Sequence, residues 1–133
     1  MAITILTSNE TGANSLIDIN ANFAIVESNR KKLTTVTQSA TPTINTDNTN
    51  IAYITGLAQN ITSFTTNLSG TPANGDTLII DITDDGTSRQ IAWGSKFEAS
   101  TVALPTTTTA SQKLTVGLRW NVVTSKWTCL AWS

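Results

Sequence analysis

The chain has 133 residues, a net charge of −1 and 13% charged side chains, with one cysteine and no histidine. The lack of histidine excludes Ser-His-Asp and Cys-His catalysis and the common His/Cys zinc sites, and a single cysteine excludes an intramolecular disulfide. So few charges provide no basic patch for a phosphate backbone, and nucleic acid is not an expected partner.

Residues 1–33 are predicted to form an N-terminal arm followed by one short helix. The apolar residues of the helix recur at spacings of 3, 4, 3 and 7, which is typical of one apolar helix face. They are Leu16, Ile19, Phe23, Val26 and Leu33. Ser15 and Asp18 can cap the start of this helix, because each side chain can accept a hydrogen bond from a free backbone N–H.

The apolar face of this helix has two alternative partners, the β domain of the same chain or further copies of the chain. An isolated helix of this length is marginal in water, so some partner is needed. Ile17 and Ile25 widen the apolar face, as is required of helices in three-stranded bundles and of helices packed on a sheet. We favour self-association through this helix because of this width together with the pattern of residues 11–23 described below.

Residues 34–133 are predicted to form an antiparallel β domain, a sandwich or jelly roll. Short β-branched runs alternate with Pro, Gly, Asn and Asp throughout this region. Asn74-Gly75 predicts a turn into a strand over 77–83. Two hairpins are expected, one joining that strand to residues 89–93 and one joining residues 114–120 to 126–132.

Several motifs of the C-terminal half follow one another in an order that resembles a known module. They are Asn74–Asp76, Asp85–Thr87, Trp93–Phe97 (WGSKF), Leu104–Thr107 (LPTT) and Lys126–Trp127. This series is similar to the β module of bacteriophage tail fibres, tailspikes and capsid-attached fibres. Leu118–Trp120 departs from it, because the family more often has Gly-Phe-Ile/Val-Tyr there. In addition, residues 11–23 resemble the start of tail-fibre proteins, where the pattern leads into a trimerising helix.

The resemblance implies a homotrimeric structural protein of the virion, assembled in the host cytoplasm, with other phage capsid or tail proteins as partners. It implies a short fibre, or a capsid decoration or head-fibre protein, attached by its N-terminal region and facing the host with its β domain. It brings no catalytic residues, and we expect no enzyme, no cofactor and no metal. Two alternatives stay open: a carbohydrate-binding or adhesin module, and a tail adaptor or assembly protein.

Three aromatic residues, Tyr53, Trp93 and Trp120, are candidates for contact with a host-surface glycan, since aromatic faces pack on pyranose rings. Packing in the core or between subunits is the competing role, and we favour it for the tryptophans because they lie within predicted strands. Asp81, Asp84 and Asp85 lack the spacing of a calcium loop and predict a turn. Neither a signal peptide nor an apolar run of membrane-spanning length is recognised, so neither export nor membrane insertion is expected.

Overall fold

The computed structural model describes residues 19–24 and 32–133. The chain divides into two units, Met1–Lys31 and Lys32–Ser133. Residues 19–24 of the first unit are helical, as predicted for this part of the chain. Leu16 and Val26 of the predicted apolar face lie outside the described residues.

The second unit is built from β-strands. Its strands are β1 (Lys32–Thr35), β2 (Ile44–Asn45), β3 (Thr49–Leu57), β4 (Leu68–Ser69), β5 (Thr77–Asp84), β6 (Phe97–Glu98), β7 (Lys113–Asn121) and β8 (Lys126–Trp132). Six of them form one sheet in the order β1-β3-β5-β7-β8-β6, and β2 pairs with β4 in a second, two-stranded sheet. The prediction of a mainly-β chain with one short helix is therefore confirmed for the described residues.

Three strands of the large sheet stack in parallel, β1 on β3 and β3 on β5. The segments that connect them stack as well, since β2 pairs in parallel with β4 and Ile61 forms a parallel bridge with Ile91. Backbone hydrogen bonds continue this stacking: the Thr62 N–H donates to the Ala40 carbonyl at 2.8 Å, and the Ala92 N–H donates to the Ile61 carbonyl at 2.9 Å. Such winding, in which each turn of chain lies on the previous one, is typical of a β-solenoid.

The expectation of an antiparallel sandwich or jelly roll is therefore wrong in its strand pairing. Antiparallel pairing is confined in the described sheets to β5 with β7 and β7 with β8, and β6 adds to β8 in parallel. The predicted β7–β8 hairpin is confirmed. The predicted hairpin between β5 and residues 89–93 is not, because Ile91 pairs with Ile61 and Gln90 with Thr107 instead.

One continuous hydrophobic core lies on the inner face of the large sheet. Alternate residues of each strand enter it, as the twofold period of a strand requires. In the central strands these are Ala52, Ile54, Leu78, Ile80, Ile82, Leu114, Val116 and Leu118, all buried. The opposite face carries half-buried residues such as Tyr53, which pairs with Asp81.

Leu33 corrects the predicted extent of the helix. It lies in β1 and pairs with Ile51 of β3, so the helical face predicted from Leu16 to Leu33 does not continue to its last member. Its side chain is nevertheless 58% exposed. The described part of the chain contains no helix with the length and apolar character needed to cross a membrane.

Candidate functional site

The WGSKF motif forms an aromatic cluster inside the core. The ring of Trp93 stacks on Phe64 with centroids 4.7 Å apart and lies 5.2 Å from the ring of Phe97. Its indole Nε1–H donates to the Pro105 carbonyl at 2.7 Å, which joins this motif to the LPTT motif. Trp93 is only 6% exposed, so it offers no free ring face to a glycan and is removed from the predicted contact residues.

The glycine of this motif allows the chain to turn closely past Thr65. Gly94 has φ = 87°, and a Cβ atom placed on it would lie 2.5 Å from Thr65 Oγ1. That hydroxyl donates to the Trp93 carbonyl and accepts from the Lys96 N–H, both at 3.1 Å. The residues of this motif thus hold neighbouring segments of the fold together.

Trp120, near the end of β7, is partly exposed and lines a groove of about 330 Å³. Its ring meets the buried ring of Trp127 edge to face at 5.4 Å, which restrains it from one side. Its backbone is held by the predicted turn: the Trp120 N–H donates to the Asp76 carbonyl at 2.8 Å, and the Gly75 N–H donates to the Trp120 carbonyl at 3.2 Å. The groove therefore has one wall made of a positioned aromatic side chain.

Residues 68–72, which begin with strand β4, also line the groove, as does Lys96. The backbone of Lys96 is fixed on both sides, since its carbonyl accepts from the Trp127 N–H at 2.8 Å and its own N–H donates to Thr65. A tryptophan, a lysine and several residues with hydroxyl groups thus line one concave surface. Such mixed linings are found in sites for small polar ligands.

The structure does not bring the three predicted contact residues together. Tyr53 lies on the outer face of the large sheet, while Trp120 belongs to the same face of β7 as the buried Val116 and Leu118. With Trp93 in the core, Trp120 is the one member of the set that lines this groove. The predicted packing role is confirmed for Trp93 and Trp127, which are buried.

Two residues of the predicted self-association face lie in the described helical segment. Ile19 and Phe23, one helical turn apart, are both exposed, Phe23 at 65%. Together with Leu33 they are large apolar side chains on the surface of the described chain. Exposed apolar groups at this spacing are compatible with helix-mediated association.

Two carboxylates near the ends of the sheet are held in the ionised form. Asp84 accepts from the Thr108 hydroxyl at 2.6 Å and from the Ser111 and Gly86 N–H groups at 2.9 and 3.0 Å. The hydrogen bond from Thr108 is the main cause that lowers the pKa of Asp84. These hydrogen bonds close the turn after β5, so Asp84 has a structural role.

The pKa of Glu98 is also lowered, chiefly by hydrogen bonds from the hydroxyls of Thr128 and Thr124, at 2.7 and 2.8 Å. These bonds tie the β7–β8 turn and strand β8 to β6. Within the described residues, no group of three or more His, Cys, Asp or Glu side chains is arranged to hold a metal ion.

Sequence reasoning identified Trp120 but did not connect it with Lys96 or with residues 68–72, which line the same groove. Lys96 was recognised only as a member of the WGSKF motif, and residues 68–72 gave no chemical signal because they are 24 or more positions away from Lys96. Comparison with family models, curated proteins and solved structures finds no match to this chain.

Proposed function

We propose that the chain is a structural protein of a bacteriophage virion, a homotrimeric short fibre or a capsid decoration or head-fibre protein. The observation that carries the proposal is the ordered series of motifs from Asn74–Asp76 to Lys126–Trp127, which resembles the β module of phage fibres. In this role the N-terminal region attaches the protein to other phage capsid or tail proteins. The β domain then faces the host surface and its glycans.

The structure supports this proposal in two ways. The motif residues occupy core and turn positions, where Trp93 packs on Phe64 and Phe97 and the Gly75 N–H donates to the Trp120 carbonyl, as expected of residues that specify a fold. The parallel stacking of turns is an arrangement in which each turn needs contacts only with its neighbours, which suits elongated assemblies.

Trimer formation is supported by the exposed Ile19 and Phe23 in the predicted association helix. Three copies on one axis bring three weak contact surfaces to one target, and avidity then raises the overall affinity. The proposal therefore requires that the helix residues control the oligomeric state.

The oligomeric state can be measured by sedimentation velocity on the full chain. We expect a trimer, and we expect the double substitution Ile19→Ser and Phe23→Ser to yield monomers with an unchanged β-sheet circular dichroism spectrum. Val123→Ser is the matched control, because Val123 is an exposed apolar residue, 89% accessible, at the tip of the β7–β8 turn. A monomeric wild type, or a trimer that tolerates the double substitution, contradicts the trimer.

The virion role is tested on purified phage particles. We expect mass spectrometry to detect the chain in them, and an electron-microscopy map to show it in threefold density at the particle surface. If purified particles that package the gene lack the chain, the proposed function is wrong.

A second candidate, a carbohydrate-binding module without a particle, is favoured by one observation, the groove beside Trp120. A stable monomer that binds glycans and is absent from particles would support this candidate over the first.

A further inference from the structure

The groove beside Trp120 lies where the solenoid lacks a strand. In the two-stranded sheet, β2, which follows β1 in the chain, pairs with β4, which follows β3. After β4 the chain adds β5 to the large sheet, beside β3. It then passes through Lys96 into β6, which pairs with β8 and not with β4. Within the described residues β4 therefore has a strand neighbour on one side alone, and the groove lies along its residues Leu68 and Ser69.

The backbone of β4 presents a hydrogen-bonding group on this unpaired side. Ser69 faces β2, since its carbonyl accepts from the Thr46 N–H at 3.0 Å. Neighbouring residues of a parallel strand direct their backbone groups to the opposite side. The Leu68 carbonyl is thus directed away from β2, on the side of β4 that has no strand neighbour among the described residues. It supplies one backbone acceptor at a fixed position.

Gly70 also fixes the shape of this wall. Its φ is 106°, and a Cβ atom at this position would collide with Thr46 Oγ1 and lie 2.9 Å from the Asp47 N–H nitrogen. The following Thr71 is held by its N–H, which donates to Asp47 Oδ1 at 2.7 Å. The groove wall is therefore preorganised, which reduces the entropy cost of binding a ligand.

The chemistry of the groove selects among classes of ligand. A peptide strand needs a longer edge for its ladder than the two residues of β4. A phosphate site usually gathers several cationic groups or N–H groups, whereas Lys96 is the one cationic side chain among the described lining residues. A pyranose ring matches the lining better, because its apolar face packs on an aromatic ring while its hydroxyls both donate and accept.

We propose that this groove binds one or two pyranose units of a glycan, with the Trp120 ring packed on the sugar and Lys96 and the free edge of β4 bonded to its hydroxyls. The volume of about 330 Å³ falls in the range of small-ligand sites. The inference rests on the proposed function only for the source of the glycan, the host-cell surface. The binding itself is a property of the isolated chain.

The test is nuclear magnetic resonance titration of the ¹⁵N-labelled full chain with glucose, galactose, N-acetylglucosamine and their β-linked disaccharides at millimolar concentrations. We expect at least one sugar to shift the Trp120 indole and Gly70 amide signals saturably. Trp120→Ala should weaken binding roughly tenfold or more, as expected for the removal of a central aromatic contact. Trp132→Ala, which removes a tryptophan that is 49% exposed and absent from the groove lining, should retain it.

A second variant keeps the test decisive if Trp120→Ala disturbs packing on Trp127. Thr71→Trp places a bulky side chain in the groove from an exposed position and leaves Trp120 in place. We expect it to abolish the shifts with an unchanged unfolding midpoint. The proposal is overturned if no sugar shifts these signals, if the shifts persist in Thr71→Trp, or if an extended peptide shifts them more strongly than every sugar. Sugar binding by a chain absent from phage particles would overturn the proposed function and leave this site standing.

Discussion

At the scale of single residues, the fold depends on a few polar side chains that form hydrogen bonds with groups in the turns between strands. Asp84 is the best example, because it is buried and receives three hydrogen bonds across the turn after β5. The Thr108 hydroxyl that donates to it also accepts from the Arg89 N–H at 2.9 Å. The two side chains thus connect three segments of the chain.

Asp84→Asn should lower the free energy of unfolding by about 1–3 kcal/mol, because the amide Nδ2 cannot accept from Thr108 and one buried group loses its partner. Urea denaturation measures this. The matched control is Asp85→Asn, which removes an exposed ion pair in which Arg89 Nη2 and Asp85 Oδ2 lie 2.7 Å apart, and it should leave the free energy of unfolding nearly unchanged. Equal losses in the two variants would contradict the structural role of Asp84.

Gly94→Ala should destabilise the protein by about 2–5 kcal/mol, because the new Cβ atom meets Thr65 and the backbone has a positive φ. Gly75→Ala is the control: its φ is 86°, but its Cβ atom would meet nothing within 4 Å. This control should show the conformational cost alone, about 1–3 kcal/mol. Thermal unfolding followed by circular dichroism compares them, and a Gly94→Ala variant as stable as Gly75→Ala would contradict the close packing.

At the scale of elements, β7 joins the solenoid turns to the C-terminal hairpin. It pairs with β5 over seven residue pairs, from Thr77 with Arg119 to Thr83 with Lys113, and with β8 on its other side. Its inner residues Leu114, Val116 and Leu118 enter the common core. A cavity in this strand should therefore affect the whole second unit.

Leu118→Ala should lower the free energy of unfolding by about 2–5 kcal/mol, since Leu118 is 1% exposed and its truncation leaves a cavity. Val123→Ala, in the exposed turn after β7, should change it by less than about 0.5 kcal/mol. Chemical denaturation followed by tryptophan fluorescence gives both values. A Leu118→Ala effect no larger than that of Val123→Ala would show that β7 is not part of the core.

At the scale of the whole molecule, three carboxylates make stability depend on pH. The pKa values of Asp84 and Asp85 are lowered from 3.8, mainly by hydrogen bonds from Thr108 and Arg89, and that of Glu98 is lowered from 4.5, mainly by Thr128. A lowered pKa in the folded state means that the unfolded chain binds these protons first as the pH falls.

Their stabilising contribution is therefore complete above about pH 5 and is lost as the pH falls through the ordinary pKa values and then through the lowered ones of the folded state. We expect the urea midpoint at pH 3 to lie below that at pH 7. The difference should shrink in Asp84→Asn, which lacks one of the three groups. A midpoint that rises on acidification would contradict the assigned directions.

The sequence by itself determined the elements whose signals are local. The β-branched alternation predicted a mainly-β chain, Asn74-Gly75 predicted the turn before β5, and the β7–β8 hairpin followed from the alternation of residues 114–120 and 126–132. The burial of Trp93 and Trp127 agreed with the packing role expected for tryptophans within strands. Each of these properties depends on residues close together in the chain.

The tertiary structure alone decided strand direction and the composition of the groove. An alternating strand has the same period whether its neighbour is parallel or antiparallel, so the pattern contained no information that β1, β3 and β5 stack in one direction. Likewise, the ring of Trp93 is covered by Phe64, which lies 29 residues earlier in the chain. Trp120 remains partly exposed and lines a groove with β4, which has one strand neighbour among the described residues. Exposure and pairing are set by residues distant in sequence, and only the folded chain brings them together.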